Sequence, residues 1–182
     1  ISRKGKVTQM VREENIAWHA GKSRWKKFKN LNNYSIGIEL INKGHQFGYQ
    51  NFSHQQISSL VKLCKKIKKK YFVKKENFLG HSDIAPLRKI DPGEKFPWKK
   101  LSKLNIGKWY IGINSKTKIN PKKMETLFFK NLKKIGFRYF SSNKSNLKNK
   151  MMVKAFQRHY LPNCITGKID QKTYKISHFL TI

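Results

Sequence analysis

The chain has 182 residues, 38% of them hydrophobic and 13% aromatic, which supports a packed core and excludes a globally disordered chain. Its formal net charge of +32 is compatible with an anionic partner such as nucleic acid, an anionic membrane surface or an acidic polymer. Lysine dominates over arginine and is scattered, so compositional bias explains the charge better than sequence-specific nucleic-acid recognition, which uses the arginine fork.

The first half of the chain has the pattern of a sheet covered by helices. Ser53 is a plausible N-cap for a helix over 54–71, and Gln56 at the third position completes a capping box. Alternation or β-branched residues predict three strands, over 6–11, 35–41 and 78–80. We therefore expect an α+β fold with a mixed β-sheet flanked by helices.

The second half is predicted to be a small helical unit. Pro97, Trp98 and Gly107 mark the end of the first domain, which we assign to residues 1–107. A segment rich in Gly, Asn, Ser and Lys follows and predicts a linker over 108–120. The second domain, 121–182, contains three segments with helical periodicity, at 121–135, 146–160 and 170–180.

The ends of the chain and its cysteines exclude further classes. No apolar run is long enough to cross a bilayer, and no secretory signal follows Ile1. The first residue is not Met, which predicts a processed product or a fragment. Cys64 and Cys164 lack metal-ligand spacing, which argues against a disulfide scaffold or a cysteine-built zinc site. Cys64 falls in an apolar helical stripe and is expected in the core.

The segment from His81 to Asp91 carries the clearest chemical pattern. Imidazole and carboxylate are both ligands of catalytic zinc, which takes three protein ligands and keeps one position for water. Lys89 lies two residues before Asp91, so in an extended stretch both side chains point to one side. An ammonium there is placed to stabilise an oxyanion. The alternative is an ordinary Pro/Gly loop whose polar groups cap one another.

Four blocks in order resemble the type-2 N-acetylmuramoyl-L-alanine amidases of the AmiD/AmpD kind, which are related in fold to peptidoglycan recognition proteins. These blocks are 17–25 (AWHAGKSRW), 33–39 (NYSIGIE), 80–93 (GHSDIAPLRKIDPG) and 96–98 (FPW). The resemblance covers most of the chain. It implies a zinc hydrolase that cuts the amide between N-acetylmuramic acid and L-alanine in peptidoglycan.

The resemblance also implies roles for individual residues. His81 and Asp91 match two zinc ligands, and Lys89 matches the lysine near the metal. Glu39 matches an acidic residue at the end of the central strand that acts as general acid and base. A Glu inside an apolar strand is costly to bury, which gives a functional role for Glu39 additional weight. Alone, Glu39 would be interpreted as a satisfied strand-end carboxylate.

Trp18, His19 and Trp25 are predicted to line the substrate cleft, because the resemblance places them there and aromatic rings suit the faces of sugars. Packing in the core is an equally good interpretation of Trp25. The four remaining histidines have no ligand-like spacing and are expected to be structural or exposed: His45, His54, His159 and His178.

The third zinc ligand of this family is a His in the first strand, followed by an aromatic residue. No His precedes Trp18 in this chain. We therefore expect one Zn²⁺ whose third protein ligand lies upstream of Ile1, or else a broken site. His19 is a less favoured candidate for the third ligand, because the family has a histidine at this position in addition to its zinc-binding histidine.

The tail resembles a small helical peptidoglycan-binding module. Its motifs are 155–160 (AFQRHY) and 166–173 (TGKIDQKT), in which Gly167 makes a turn and Asp170 caps a helix. Such a module holds an enzyme on its polymer and raises the local substrate concentration.

The expected function is therefore zinc-dependent hydrolysis of the N-acetylmuramic acid to L-alanine amide. The alternative is a non-catalytic peptidoglycan-binding protein with an incomplete metal site. The expected partners are peptidoglycan or muropeptides, with no specific nucleic acid and no transmembrane segment, and the chain is expected to be a monomer. The resemblance implies the bacterial cell envelope, periplasmic or associated with the outer membrane.

Overall fold

The computed structural model describes residues 1–112, 119–140 and 147–182. In these ranges β1 (Arg24–Trp25) and β2 (Phe28–Lys29) form an antiparallel two-stranded sheet. The described helices are α1 (His54–Tyr71), α2 (His81–Ile84), α3 (Trp98–Ser102), α4 (Pro121–Ile135), α5 (Leu147–Tyr160) and α6 (Gln171–Phe179). Short 3-10 helices cover Leu31–Asn33, His45–Phe47 and Lys75–Asn77. Within the described ranges, no helix has both the length and the hydropathy needed to span a bilayer.

Helix α1 confirms the prediction for 54–71. The Ser53 side chain accepts a hydrogen bond from the Gln56 backbone N–H, as an N-cap does. Leu60, Cys64 and Ile67 lie on its buried face. The reciprocal half of the capping box is wrong, because the Gln56 amide donates instead to the carbonyl oxygens of Ile1 and Ile41, at 3.2 and 2.9 Å.

The three predicted strands form no hydrogen-bonded ladder among the described residues, so those individual predictions are wrong: 6–11, 35–41 and 78–80. A strand requires a neighbour to pair with. Segment 35–41 has such a contact only at its end, where Ile1 N donates to Glu39 O at 2.6 Å and Ile41 N donates to Ile1 O at 3.0 Å. These two bonds flank Leu40 in the pattern of parallel pairing.

Helices α4, α5 and α6 confirm the three helices predicted in the second half, although residue 146 lies outside the described ranges. Asn120 caps α4, and the Asp170 carboxylate accepts from Thr173 N at 2.7 Å to cap α6. Helix α4 ends at Gly136, whose φ is +141°. A Cβ at Gly136 would lie 2.5 Å from the Trp25 ring, so only glycine allows this close approach.

The two halves of the chain share one core. Trp25 and Leu31 from the first half belong to the same buried cluster as Phe128, Phe137 and Phe156. The Trp25 and Phe137 rings are 5.0 Å apart, edge to face. The predicted boundary at 107 and the linker at 108–120 remain predictions, since 113–118 lie outside the described residues.

A cavity of about 1240 Å³ lies beside segment 35–41. Its walls include Trp25 and Leu31 of the shared core and several side chains of a second buried cluster: Leu60, Cys64, Phe96, Trp98, Leu101 and Ile106. Protein interiors are normally close-packed, so a space of this size with a partly apolar lining is open to a ligand or to further polypeptide.

Candidate active site

The short helix α2 brings His81 and Asp91 together. Gly80 precedes the helix, and its N–H donates to the Asp83 carboxylate at 2.7 Å. Ser82 N donates to the backbone oxygen of Asp91 at 2.9 Å, which joins the start of α2 to the loop that follows it. The His81 and Asp91 side chains consequently meet although ten residues separate them.

Their contact is direct and polar. His81 Nδ1 lies 3.0 Å from Asp91 Oδ2, and His81 Nε2 lies 3.2 Å from the Ala20 carbonyl oxygen. Nδ1 is therefore the ring nitrogen that faces Asp91, while Nε2 faces the Ala20 carbonyl oxygen.

The surroundings of Asp91 favour its ionised carboxylate form. Partial burial would raise its pKa, but the hydrogen bond from His81, the charge of His81 and the charge of Lys89 outweigh burial, so the pKa lies below the ordinary value. Asp91 is therefore ionised at neutral pH. Its side chain is about half exposed, at 52%, whereas that of His81 is 14% exposed.

A second loop supports the segment around Asp91. Tyr49 donates its hydroxyl hydrogen to the backbone oxygen of Pro92 at 2.6 Å, and burial raises the pKa of Tyr49 to about 12, so this donor keeps its proton. His45 stacks on Tyr49 with ring centroids 4.3 Å apart. His45 Nε2 also lies 3.0 Å from a carboxylate oxygen of Glu94. Residues 45–49 thereby hold the turn that follows Asp91.

Six of the seven predicted site residues line the cavity beside segment 35–41: His19, Trp25, Glu39, His81, Lys89 and Asp91. Glu39 is exposed, so the expectation that it is buried in a strand was wrong. The reason is that segment 35–41 is not enclosed by paired strands. Glu39 nevertheless lines the same cavity as His81 and Asp91.

The three predicted cleft residues are placed differently from one another. Trp18 is 91% exposed and is not among the residues that line the cavity. Trp25 is 4% exposed and packs in the core, as its alternative interpretation held, although part of it forms the cavity wall. The His19 ring packs on Gly37, where a Cβ would come within 2.4 Å of it.

His19 is not placed as a metal ligand. Its Nδ1 is 2.9 Å from the Ala17 carbonyl oxygen, and its Nε2 is 3.0 Å from the Ser35 hydroxyl. Both ring nitrogens thus have protein partners. Among the described residues, no group of three His, Cys, Asp or Glu side chains is arranged to hold a metal ion. The donor set fits zinc in its chemistry, but these residues supply two ligands of the three that a catalytic site uses.

Sequence reasoning missed Arg88. Its guanidinium donates to the carbonyl oxygens of Ala20 and Lys22, and its Nη2 lies 3.4 Å from His81 Nε2. Arg88 therefore fixes the backbone against which His81 is oriented. Its position within the 80–93 block was the signal that it takes part in the site.

Comparison with known proteins identifies the family. The family model described as N-acetylmuramoyl-L-alanine amidase matches residues 1–94. The amidase AmiD of Escherichia coli is 35% identical over 186 residues, which cover 97% of this chain and 67% of AmiD. The 1,6-anhydro-N-acetylmuramyl-L-alanine amidase AmpD of Haemophilus influenzae is 41% identical over 101 residues, or 55% of this chain and 53% of AmpD. The chain thus spans about two thirds of AmiD and about half of AmpD.

Solved structures of amidases resemble this chain as well. The complex of E. coli AmiD with the substrate anhydro-N-acetylmuramic acid-L-Ala-D-γ-Glu-L-Lys has a TM-score of 0.84 at 33% identity, covering 96% of this chain and 72% of that one. AmpDh3 of Pseudomonas aeruginosa in complex with anhydromuramic pentapeptide has a TM-score of 0.82 at 31% identity, covering 94% and 71%. These matches confirm the predicted α+β class. The chain belongs to the N-acetylmuramoyl-L-alanine amidase family.

Proposed function

We propose that the chain hydrolyses the amide bond between the lactyl group of N-acetylmuramic acid and L-alanine. The observation that carries this proposal is the direct contact of His81 with Asp91, in a cavity that Glu39 and Lys89 also line, in a member of the amidase family. AmiD is described as bound to a muropeptide substrate, which supports the same class of substrate here.

We propose that His81 and Asp91 provide two ligands of one Zn²⁺. The support is their direct contact at 3.0 Å, with His81 Nε2 held by the Ala20 carbonyl so that Nδ1 is the nitrogen facing Asp91. When bound, zinc supplies a Lewis acid for the scissile carbonyl and the means to activate water at neutral pH.

The chain's own residues then move the protons and hold the charge. Glu39 accepts a proton from the attacking water as the new carbon–oxygen bond forms. The Lys89 ammonium stabilises the negative charge that develops on the carbonyl oxygen. The carbon–nitrogen bond breaks, Glu39 delivers its proton to the departing nitrogen of L-alanine, and the lactyl carboxylate and the free stem peptide are the products.

We propose that the third ligand comes from a strand upstream of Ile1 that occupies the cavity. The hydrogen bonds of Ile1 with Glu39 and Ile41 follow the pattern of parallel pairing, so a strand leading into Ile1 would run along segment 35–41. The apolar side chains in the cavity lining, among them Leu60 and Trp98, suit the inward face of such a strand.

The experiment is a metal titration paired with an activity assay, on the protein expressed with any residues that its gene encodes ahead of Ile1. We expect one zinc per protein, and we expect His81→Ala and Asp91→Ala to abolish both binding and muropeptide cleavage. His178→Ala is the matched control, since it removes a histidine outside the cavity lining. Zinc binding that survives both substitutions contradicts the assignment of these ligands.

A non-catalytic peptidoglycan-binding protein is the second candidate. The observation in its favour is that the described residues bring together no three-residue metal group. It predicts that the protein retains muropeptides but releases no stem peptide in the presence of zinc. Release of stem peptide by the wild type and its loss in His81→Ala eliminate this candidate.

We also propose that the protein acts as a monomer in the cell envelope, on peptidoglycan held by the helical segment 121–182. The supports are the formal charge of +32, which favours an anionic polymer, and the tail motifs around Gln157 and Asp170. Fractionation of cells and sedimentation on purified sacculi test this. Recovery in the cytosolic fraction contradicts the location, and failure of the full chain to sediment with the sacculi contradicts the tether.

A further inference from the structure

A buried side-chain hydrogen bond joins the helical segment to the helix that carries His81. His159 Nδ1 on α5 lies 2.8 Å from Asp83 Oδ2 on α2. His159 is 3% exposed and Asp83 is 1% exposed. Neither residue takes part in the chemistry proposed above. Buried ionisable groups are costly unless they are paired, so this contact needs a structural or functional reason.

The His159 ring is held on both faces. It stacks on Trp98 with ring centroids 4.1 Å apart and on Tyr160 at 4.0 Å. Within the described part of the chain, its Nε2 and the Asp83 Oδ1 are buried atoms with no hydrogen-bond partner. Within the described residues, the bond from Nδ1 to Asp83 is therefore the one hydrogen bond of the His159 imidazole. Among the described residues, removing it would leave the Asp83 carboxylate with the hydrogen bond from Gly80 N–H alone.

Asp83 is connected to both proposed ligands through its neighbours in the backbone. It lies in the same helical turn as His81, and its carboxylate accepts the N–H of Gly80, the residue before His81. The intervening residue Ser82 donates its N–H to the Asp91 backbone oxygen at 2.9 Å. A displacement of α2 would consequently move His81 and weaken its link to Asp91.

We propose that His159 is a positioning residue of the amidase site, which through Asp83 fixes helix α2 and thereby the placement of His81 against Asp91. This inference rests on the proposed function of that site. It assigns a second role to the helical segment, which supports the reacting groups in addition to holding the enzyme on its polymer.

The test uses three variants of the protein, each expressed with any residues that its gene encodes ahead of Ile1. His159→Phe keeps a ring between Trp98 and Tyr160 but deletes the donor. His159→Asn retains an N–H near the position of Nδ1. Asp83→Asn with His159→Phe removes the unpaired buried charge, so that this variant folds even where His159→Phe does not. Phe128→Leu is the control, because it removes buried apolar surface from the same core without altering the His159–Asp83 bond.

The readouts are hydrogen exchange at the Ser82 amide and separate values of kcat and KM on a muropeptide. We expect the double variant to exchange Ser82 about tenfold faster and to lose about tenfold in kcat, with KM within about twofold. His159→Asn should stay within about threefold of wild type, and Phe128→Leu should lower Tm without accelerating Ser82 exchange. Wild-type exchange at Ser82 in the double variant overturns the proposal. If the wild type cleaves no muropeptide, the proposed function fails, and the exchange data still decide the role of His159.

Discussion

At the scale of single residues, the Ala20 carbonyl decides which nitrogen of His81 is available. Because Nε2 is engaged at 3.2 Å, Nδ1 is the nitrogen presented to Asp91. The contact between His81 and Asp91 was predictable because both lie in one short segment. The partners of Arg88 and His159 were not predictable, since each lies more than sixty positions away in the chain.

Glu39→Gln is predicted to lower kcat by about 10²-fold or more while leaving KM nearly unchanged, because an amide cannot carry the proton from water to the leaving nitrogen. Steady-state assays on a muropeptide check this. Glu125→Gln on α4 is the control and should retain full activity. A Glu39→Gln enzyme with wild-type kcat would remove Glu39 from the mechanism.

Cys64 is predicted to resist alkylation in the folded protein. It is 2% exposed, and burial raises the pKa of its thiol to about 11, so the reactive thiolate is scarce at pH 8. Cys164 is only partly buried and should react first with iodoacetamide. Mass spectrometry of the native and urea-unfolded protein measures both sites. Equal native rates at the two cysteines would contradict this prediction.

At the scale of elements, the four long helices were predictable, whereas the strands and the short helices α2 and α3 were not. Helix signals are local: Ser53 and Asp170 cap α1 and α6, and the apolar periodicity of each helix follows its cap. Helix α1 begins and ends as predicted. A strand is defined by its neighbour, which local sequence does not specify. Segment 35–41 is rich in β-branched residues, yet in the described structure only its end at Leu40 is paired, through Ile1.

Asp170→Ala is predicted to cost about 1 kcal/mol in the free energy of unfolding, because it leaves the Thr173 N–H at the start of α6 without its acceptor. Asp170→Asn, which keeps an oxygen acceptor, should lose much less. Urea denaturation followed by circular dichroism measures both. A loss of equal size in the two variants would mean that the cap is not the cause.

At the scale of the whole molecule, the two halves depend on each other. Trp25 and Leu31 share one buried cluster with residues of α4 and α5, and Asp83 is hydrogen-bonded to His159. The motifs in the first half predicted the amidase family, and the periodicity in the second half predicted its helices. They did not predict the shared core, because an interface between distant segments has no periodicity of its own.

A protein ending at residue 107 is therefore predicted to lose cooperative folding. Removal of 121–182 would expose Trp25 and leave the Asp83 carboxylate buried without its imidazole partner. Thermal unfolding followed by tryptophan fluorescence checks this, with the full chain as control. A truncated protein that unfolds cooperatively at a Tm within a few degrees of the full chain would show that the halves are independent.

The most direct measurement of the central claim is product analysis of a single muropeptide. The protein, expressed with any residues its gene encodes ahead of Ile1 and supplied with zinc, is incubated with anhydro-N-acetylmuramic acid-L-Ala-D-γ-Glu-L-Lys, the substrate bound by AmiD. Mass spectrometry should find the free peptide L-Ala-D-γ-Glu-L-Lys and the intact anhydro sugar with its lactyl carboxylate, and neither product with His81→Ala. An uncut muropeptide, or a cut inside the peptide, would contradict the account.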